Sequence, residues 1–319
     1  MTVNPILHSQ LLQLCTQGFI ERNSLGDGEE SLPGLLNKLG ITYTQTRAQL
    51  EIDSVLELIN HESIQARLNE NPLPDSFQWQ YQLVTESTNA DALQFFETNR
   101  QPCIVLTEMQ TGGRGRRGRA WISPFGQNIY CTIGIHKSTR DYNPGLLSIV
   151  TGVALCNALE ICGINDVGLK WPNDLYYQNQ KLGGILIESK MSGAGECFFA
   201  IGFGINVSMD ERDFDLIPQP ATSVNLINAG PVSRDMIISE AIRQVVAMID
   251  DFDESTVSQL VEAFDAVDAF RNQPVTVTTA NGSVDGVNAG INSSGQLLLD
   301  TDGGQLQFSA ADISLRGRA

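Results

Sequence analysis

"VGLKWPNDLYYQNQKLGGILIES" (167–189) contains three short apolar runs, at 167–171, 174–178 and 184–189, parted by polar and turn-forming residues. Runs of this length, rich in Val, Ile, Leu and Tyr, read as β-strands. "QNQK" (178–181) reads as the hairpin turn joining the last two. Strands connected this closely run antiparallel, because a parallel pair needs a long crossover.

The same texture extends outward. "CIVLTEM" (103–109) and "CFFAIGFGINV" (197–207) read as buried strands, and "NIYCTIGI" (128–135) alternates like one. "PGLLSIVTGVALCNALEICG" (144–163) reads as a buried helix ending at Gly163. In "SRDMIISEAIRQVVAMIDDF" (233–252), Ile237, Ile238, Ala241, Ile242, Val245, Val246 and Ile249 share one helical face, with Ser233 as cap. The predicted fold class is α+β, a central mixed sheet flanked by helices.

Two changes of character mark the domains. "LNENPLPDSF" (68–77), with two prolines and an Asn/Asp cluster, reads as a linker. Within 274–315, short β-rich runs alternate with Asn-Gly, Ser-Ser-Gly and Asp-Gly-Gly, which predicts four or five strands in a small barrel. The chain therefore divides into 1–75, 76–270 and 271–319. In the first part, 5–15 and 32–39 read as short helices, Gly40 as a stop and Thr42 as the cap of a further helix.

Composition narrows the function classes. The chain has 319 residues, 37 acidic against 20 basic, for a net charge of −17. Such a surface repels nucleic acid and anionic membranes unless positive charge is gathered locally. No apolar run reaches the roughly 18 residues of a membrane span, and "MTVNPILHSQLLQLC" lacks the basic start and cleavage site of a signal peptide. The six cysteines form no CxxC pair and sit in apolar stretches, the usage of a reducing cytoplasm. The three histidines lie near neither one another nor a cysteine, which excludes the usual structural zinc patterns.

Positive charge is gathered in "TGGRGRRGRAW" (111–121), which holds Arg114, Arg116, Arg117 and Arg119. Glycines at 112, 113, 115 and 118 let the backbone bring its N–H groups close to a ligand. Guanidinium groups bind phosphate or carboxylate bidentately. The loop lacks the GK[ST] of a Walker A motif. Its G-x-G-x-x-G match at 113–118 has no helix pattern after it. A solvated basic loop and an RNA-binding RGG segment remain as readings, although RGG segments are repeated and this loop is single.

Two further clusters accompany it. "KWPNDLYYQNQKLGGILIE" (170–188) carries Lys170, Asn173, Asp174 and Lys181, and its hairpin brings Asp174 and Lys181 together. "TESTNADA" (85–92) offers Ser87, Thr88 and Asn89, neutral donors and acceptors suited to a small polar heterocycle, in a position that also caps a helix.

Together "ESTN", "QTGGRGRRGRAW", "SPFGQNIY", "KWPNDLYY", "KLGGILIE", "GFGINV" and the terminal "ISLR" resemble the bacterial biotin–protein ligases, the biotin operon repressor family, over about residues 80–316. The resemblance implies an N-terminal winged helix-turn-helix, a catalytic domain and a C-terminal SH3-like β-barrel. It implies a two-step reaction. Biotin and ATP give biotinyl-5′-adenylate and pyrophosphate, and a lysine of the biotin carboxyl carrier protein of acetyl-CoA carboxylase then takes the biotin. ATP and Mg²⁺ are implied, with no tightly bound prosthetic group.

By the same resemblance, Lys181, Arg116 and Asp174 are catalytic. Ser87, Thr88, Asn89, Gln110, Arg114, Gly115, Arg116 and Lys181 hold biotin. Arg114, Arg116, Arg119, Trp121, Asn173, Gly184 and Arg316 face the nucleotide, and Asp174 serves Mg²⁺ or the acceptor lysine. A homodimer through the central sheet and a cytoplasmic location are further implications. The alternatives are a ligase that also represses the biotin operon, and a lipoate-type ligase, against which the full GRGRRGR signature argues.

The N-terminus departs from the repressor pattern. "LPGLLNKLGITYTQTRAQL" resembles a helix-turn-helix core, yet few residues separate Gly40 from His61. "VLELINHESIQARL" already resembles the element after the wing, so the wing is expected to be shortened or absent. Residues 1–80 hold four basic and ten acidic residues, a net of −6, and lack a basic patch around Arg47, the residue a helix end would present to DNA.

Overall fold

The computed structural model describes residues 5–22, 31–53, 55–74, 76–138, 144–193, 196–209, 211–228, 230, 232–279, 282–309 and 314–317. The N-terminal unit contains α1 (Pro5–Gln17), β1 (Phe19–Glu21), α2 (Leu32–Leu39), β2 (Tyr43–Gln45), β3 (Gln49–Ile52) and α3 (His61–Asn69). Ser31 caps α2 through the Gly34 N–H, and Gly40 ends it in the left-handed conformation at φ 71°. Its four leucines, Leu32, Leu35, Leu36 and Leu39, are buried.

Two expectations fail at this point. Thr42 caps no helix, because Tyr43–Gln45 forms a strand paired antiparallel with Gln49–Ile52, which also pairs with β1. The run Ile41–Thr46 is rich in β-branched and aromatic residues, which favour a pleated surface over a helix. A β-hairpin therefore follows α2 directly. No second helix intervenes between α2 and this hairpin, whose strands are three and four residues long. Arg47 lies exposed in the hairpin turn rather than at a helix end.

The central sheet is built from β4 (Gln78–Thr85), β5 (Cys103–Gln110), β6 (Ile129–Ser138), β7 (Gly168–Lys170), β8 (Asp174–Tyr177), β9 (Gln180–Gly193) and β10 (Glu196–Ile205). Its order is β4-β5-β6-β10-β9-β8-β7, with only β4 and β5 parallel. Gln178 and Asn179 both adopt positive φ, 46° and 65°. Such a two-residue turn matches the twist of a hairpin, so β9 begins at Gln180, ahead of the residue expected from the sequence.

Helices α4 (Thr88–Asn99), α5 (Pro144–Ile161), α6 (Glu211–Asp215), α7 (Val224–Ile227), α8 (Arg234–Asp251) and α9 (Val257–Val267) complete this part. Strand alternation assigns the two faces of the sheet. Ile129, Cys131, Ile133 and Ile135 of β6, with Phe199, Ile201, Phe203 and Ile205 of β10, join α5 and α8 in the main core. The alternate residues Phe198 and Ala200 pack with Ala92 and Phe96 of α4 on the opposite face. Six unpaired cysteines are present, five of them buried. Burial pushes the Cys103 and Cys156 thiols up to about 12, so they stay protonated. No helix among the described residues is long and apolar enough to cross a membrane.

The C-terminal sheet has the order β14-β13-β12-β11-β15, from β11 (Pro274–Thr279), β12 (Gly282–Ile291), β13 (Leu297–Thr301), β14 (Gly304–Phe308) and β15 (Ser314–Gly317). Asn281 of the expected Asn-Gly turn lies outside the described residues. Trp171, almost fully buried, donates its indole N–H to Gly295 O at 3.0 Å and ties this sheet to the central one.

At the junction, Asp268 is buried and accepts from Phe270 N at 3.0 Å and Asn288 Nδ2 at 2.8 Å. Burial raises its carboxyl from the ordinary 3.8 to about 6, against the pull of those bonds and of Arg271. A carboxyl whose folded pKa is raised stabilises most below its unfolded pKa, and that stability is lost as pH rises through the folded value. Between pH 4 and pH 7 this group is expected to remove up to about 3 kcal/mol of unfolding free energy. Asp268→Asn should flatten that part of the profile, as read from urea unfolding across the pH series.

Candidate active site

The α4 face of the sheet opens into a trough because its side chains shrink along β10. Every second residue runs Phe198, Ala200, Gly202, Gly204. Cross-strand pairing sets Gly204 opposite Gly184, Gly184 opposite Asp174, and Asp174 opposite Lys170. One row therefore crosses four strands, glycine in the middle and charged at its end. A Cβ on Gly204 would come within 2.6 Å of Trp121 Nε1, and one on Gly202 would overlap Asn89.

The arginine loop folds over this floor as a narrow turn. Gly115 N donates to Arg119 O at 2.8 Å and Trp121 N to Gly113 O at 2.9 Å. Arg117 and Gly118 reverse the chain in left-handed conformations, φ 60° and 69°. Arg116 reaches across to Asn173 Oδ1 at 3.2 Å, and Asn173 is itself held by Ile185 O at 2.8 Å. Trp121 lies against Gly184 and Gly204, and its buried Nε1–H has no acceptor among the described residues.

Lys181 Nζ sits 2.6 Å from Asp174 Oδ1, both side chains largely shielded from solvent. It also lies 5.3 Å from the centre of the Trp121 ring. Its backbone is fixed by Pro220 O and Thr222 N at 2.9 and 3.0 Å, which holds Leu216, Ile217 and Pro218 as a side wall. Lys170 Nζ is placed 2.9 Å from Tyr176 OH.

The far end is neutral and polar. Ser87 caps α4, accepting from Ala90 N. Gln110 Oε1 accepts the Thr88 N–H at 3.0 Å and lies 3.2 Å from Thr88 Oγ1. Behind them, Thr132 Oγ1 is 2.8 Å from Thr88 Oγ1 and 2.7 Å from Asn89 Oδ1. The Asn89 amide donates to Leu186 O at 3.1 Å and Glu188 Oε2 at 2.9 Å.

These groups line one cavity of about 660 Å³. Ser87, Thr88, Asn89, Gln110, Arg114, Gly115, Arg116, Arg119, Trp121, Asn173, Asp174, Lys181 and Gly184, all singled out from the sequence, border it. The Arg316 side chain lies outside the described residues. Asn89 differs in kind from its neighbours, because its whole amide is spent on Leu186, Glu188 and Thr132, so it braces the site. Gly202, Gly204, Thr132, Glu188 and the 216–218 wall were not singled out. The shrinking alternation in "CFFAIGFG" was the readable sign of the floor.

The donor set does not make a resident metal centre. Asp174 is the one carboxylate among the described residues lining the cavity, and Lys181 already occupies it. No group of three or more His, Cys, Asp or Glu among the described residues could hold an ion. Mg²⁺ would arrive on the phosphates of a nucleotide, as is usual for that ion.

Residues 81–206 match the biotin/lipoate A/B protein ligase family, and 271–316 match the biotin protein ligase C-terminal domain. The chain is 33% identical over 234 residues to the bifunctional ligase/repressor BirA of Salmonella typhimurium, covering 73% of this chain and 72% of the relative. It is 30% identical to the biotin–[acetyl-CoA-carboxylase] ligase of Paracoccus denitrificans, covering 73% of this chain and 98% of that one. Among solved structures, the biotin protein ligase of Aquifex aeolicus in complex with biotin and ATP superposes with a TM-score of 0.64 at 24% identity, over 76% of this chain and 99% of that one.

Gly204→Ala is expected to lift the Trp121 indole off the floor, since no room exists for the added methyl. Tryptophan emission should shift to the red while far-UV circular dichroism is unchanged. An unshifted emission spectrum would show that the indole does not rest on Gly204.

Proposed function

The chain belongs to the biotin protein ligases, and from that premise we propose that it activates biotin with ATP and transfers it to a lysine of a carrier protein. The observation that carries this reading is the single cavity with a neutral hydrogen-bonding end at Ser87, Thr88 and Gln110 and a cationic centre at Arg114, Arg116 and Lys181. Biotin has the same polarity, a polar ring system at one end and a carboxylate at the other.

In the first step the biotin carboxylate oxygen bonds to the α-phosphorus of ATP, the bond to the β-phosphate bridge breaks, and pyrophosphate leaves. Two anions must meet, so the barrier is electrostatic, and preorganised cations in a shielded site lower it. Arg116, braced by Asn173, and Lys181 supply them. Arg114 and Gly115 add donors along the same anions, and Arg119 holds the loop closed. Trp121 and Gly184 form the nucleotide wall, with the Trp121 N–H ready for a ligand acceptor. Arg316 is assigned to the nucleotide by resemblance alone.

In the second step the lysine amine attacks the adenylate carbonyl and AMP leaves. Asp174 pairs with Lys181 until the ligand's phosphate claims that cation. Its carboxylate is then free to take the proton that the attacking ammonium must lose. Mg²⁺ enters with the triphosphate, and no step here is routed through it. The acceptor is the biotin carboxyl carrier protein of acetyl-CoA carboxylase, and the unpaired buried thiols favour a cytoplasmic setting.

The dual ligase-repressor reading receives less support. Residues 1–80 carry a net −6, and DNA affinity rests on phosphate contacts.

The test is carrier labelling with biotin, ATP and Mg²⁺, and absence of label beside an active control overturns the reading. Arg116→Ala and Lys181→Met should each slow adenylate formation about 10²- to 10³-fold, measured as biotin-dependent exchange of pyrophosphate into ATP. Asp174→Asn should slow transfer from preformed biotinyl-adenylate, measured as single-turnover labelling of the carrier, while biotin-dependent pyrophosphate exchange is less affected.

A further inference from the structure

We propose that Thr132, buried behind the cavity, fixes the proton order of the polar end and thereby selects a ligand that donates an N–H to Thr88. The proposal rests on the biotin ligase reading and adds the residue that sets its ring specificity.

The argument is a count of hydrogens. The Asn89 amide nitrogen faces a backbone carbonyl, Leu186 O, and a carboxylate, Glu188 Oε2, at 3.1 and 2.9 Å. Both can only accept, so the orientation of Asn89 is determined and its Oδ1 points to Thr132. Thr132 Oγ1 lies 2.7 Å from that oxygen, which also can only accept. The single Thr132 hydroxyl hydrogen therefore goes to Asn89.

Thr132 Oγ1 is also 2.8 Å from Thr88 Oγ1. Two oxygens this close need a hydrogen between them, and the Thr132 hydrogen is already committed. Thr88 must provide it. The chain then runs Thr88 O–H to Thr132, Thr132 O–H to Asn89, and Asn89 N–H to Leu186 and Glu188. Any other order leaves one of the two shortest contacts with no hydrogen. Gln110 Oε1 keeps the Thr88 backbone N–H at 3.0 Å, and its longer 3.2 Å contact with Thr88 Oγ1 yields the hydroxyl hydrogen to the 2.8 Å contact with Thr132.

Thr132 is fully buried, and Thr88 and Asn89 are 4% exposed, so the chain can be reached only at the end that lines the cavity. Thr88 lines the cavity and Thr132 does not. Toward the ligand, Thr88 Oγ1 is left with lone pairs alone. It accepts, and the group it meets must donate. A cyclic urea supplies an N–H there. A cyclic carbamate with oxygen at that position, or the dithiolane of lipoate, supplies none and leaves an acceptor facing an acceptor, which is costly in a buried site.

Thr132→Val keeps the shape and removes the hydroxyl. Thr88 can then turn its hydrogen toward Gln110 or the ligand, and the order is lost. The experiment measures dissociation constants for biotin and for the two biotin carbamates in which one or the other ureido N–H is replaced by oxygen. Wild-type protein should bind one carbamate at least about 100-fold more weakly than biotin. In Thr132→Val this gap should narrow at least about tenfold, with KM for ATP unchanged, and Thr132→Ser should restore it.

An unchanged gap in Thr132→Val, or failure of Thr132→Ser to restore it, overturns the proposal. Should the valine variant not fold, the wild type still decides, because two carbamates that both bind within about threefold of biotin also overturn it. These results leave carrier labelling intact and so spare the ligase reading. Wild-type protein that neither binds biotin nor labels a carrier overturns both.

Discussion

The site depends on the alternation of one strand. In β10 the residues facing α5 and α8 stay large, Phe199, Ile201, Phe203 and Ile205, while those on the other face dwindle from Phe198 to Gly204. The large set anchors the strand in the main core. The small set removes bulk from the opposite face at the same positions. A concavity is thus cut into a well-packed sheet without loosening it, since the burial that holds the strand lies on the other side.

Charge is arranged with the same economy of place. The molecule carries −17 overall, yet Arg114, Arg116, Lys170 and Lys181 border one cavity. Held together without anions these cations would repel, and each has a temporary or lasting partner. Arg114 is paired with Glu188, Arg116 leans on a neutral carbonyl oxygen of Asn173, Lys181 on Asp174, and Lys170 on the Tyr176 hydroxyl and ring. Partial shielding from water strengthens their field on an incoming anion, and the acidic exterior keeps that field local.

Most of the middle of the chain was legible because local pattern and tertiary environment agree there. The buried helix at 144–163, the capped helix from Ser233 and the approach of Asp174 to Lys181 all follow from periodicity and turn chemistry, and the structure has each. The failures share a different cause. Tyr43–Gln45 looked like the start of a helix after a clear stop, but its pairing with β3 decided otherwise, and pairing is a non-local event. Asn89 borders the cavity, as its motif implied, but the Leu186 and Glu188 acceptors that hold its amide lie nearly a hundred positions away in sequence and could not be read there. Thr132 and Glu188 carried no local signal, since their importance lies only in which atoms the folded sheet brings beside them.

The N-terminal unit does not stand apart from the rest. Its buried leucines share a cluster with Leu83 and Val84 of β4 and with Phe125, just beyond the arginine loop, while Leu56 and Leu58 pack over Gly126. Glu108, fully buried in β5, accepts from Arg234 of α8 and from the Ile59 backbone of the connecting segment. The seam between the units is therefore part of the interior of both. This chain cannot be trimmed to a minimal enzyme at its predicted linker without baring hydrocarbon and stranding an ion pair, so divergence of the N-terminal unit is bound by a duty to seal its neighbour.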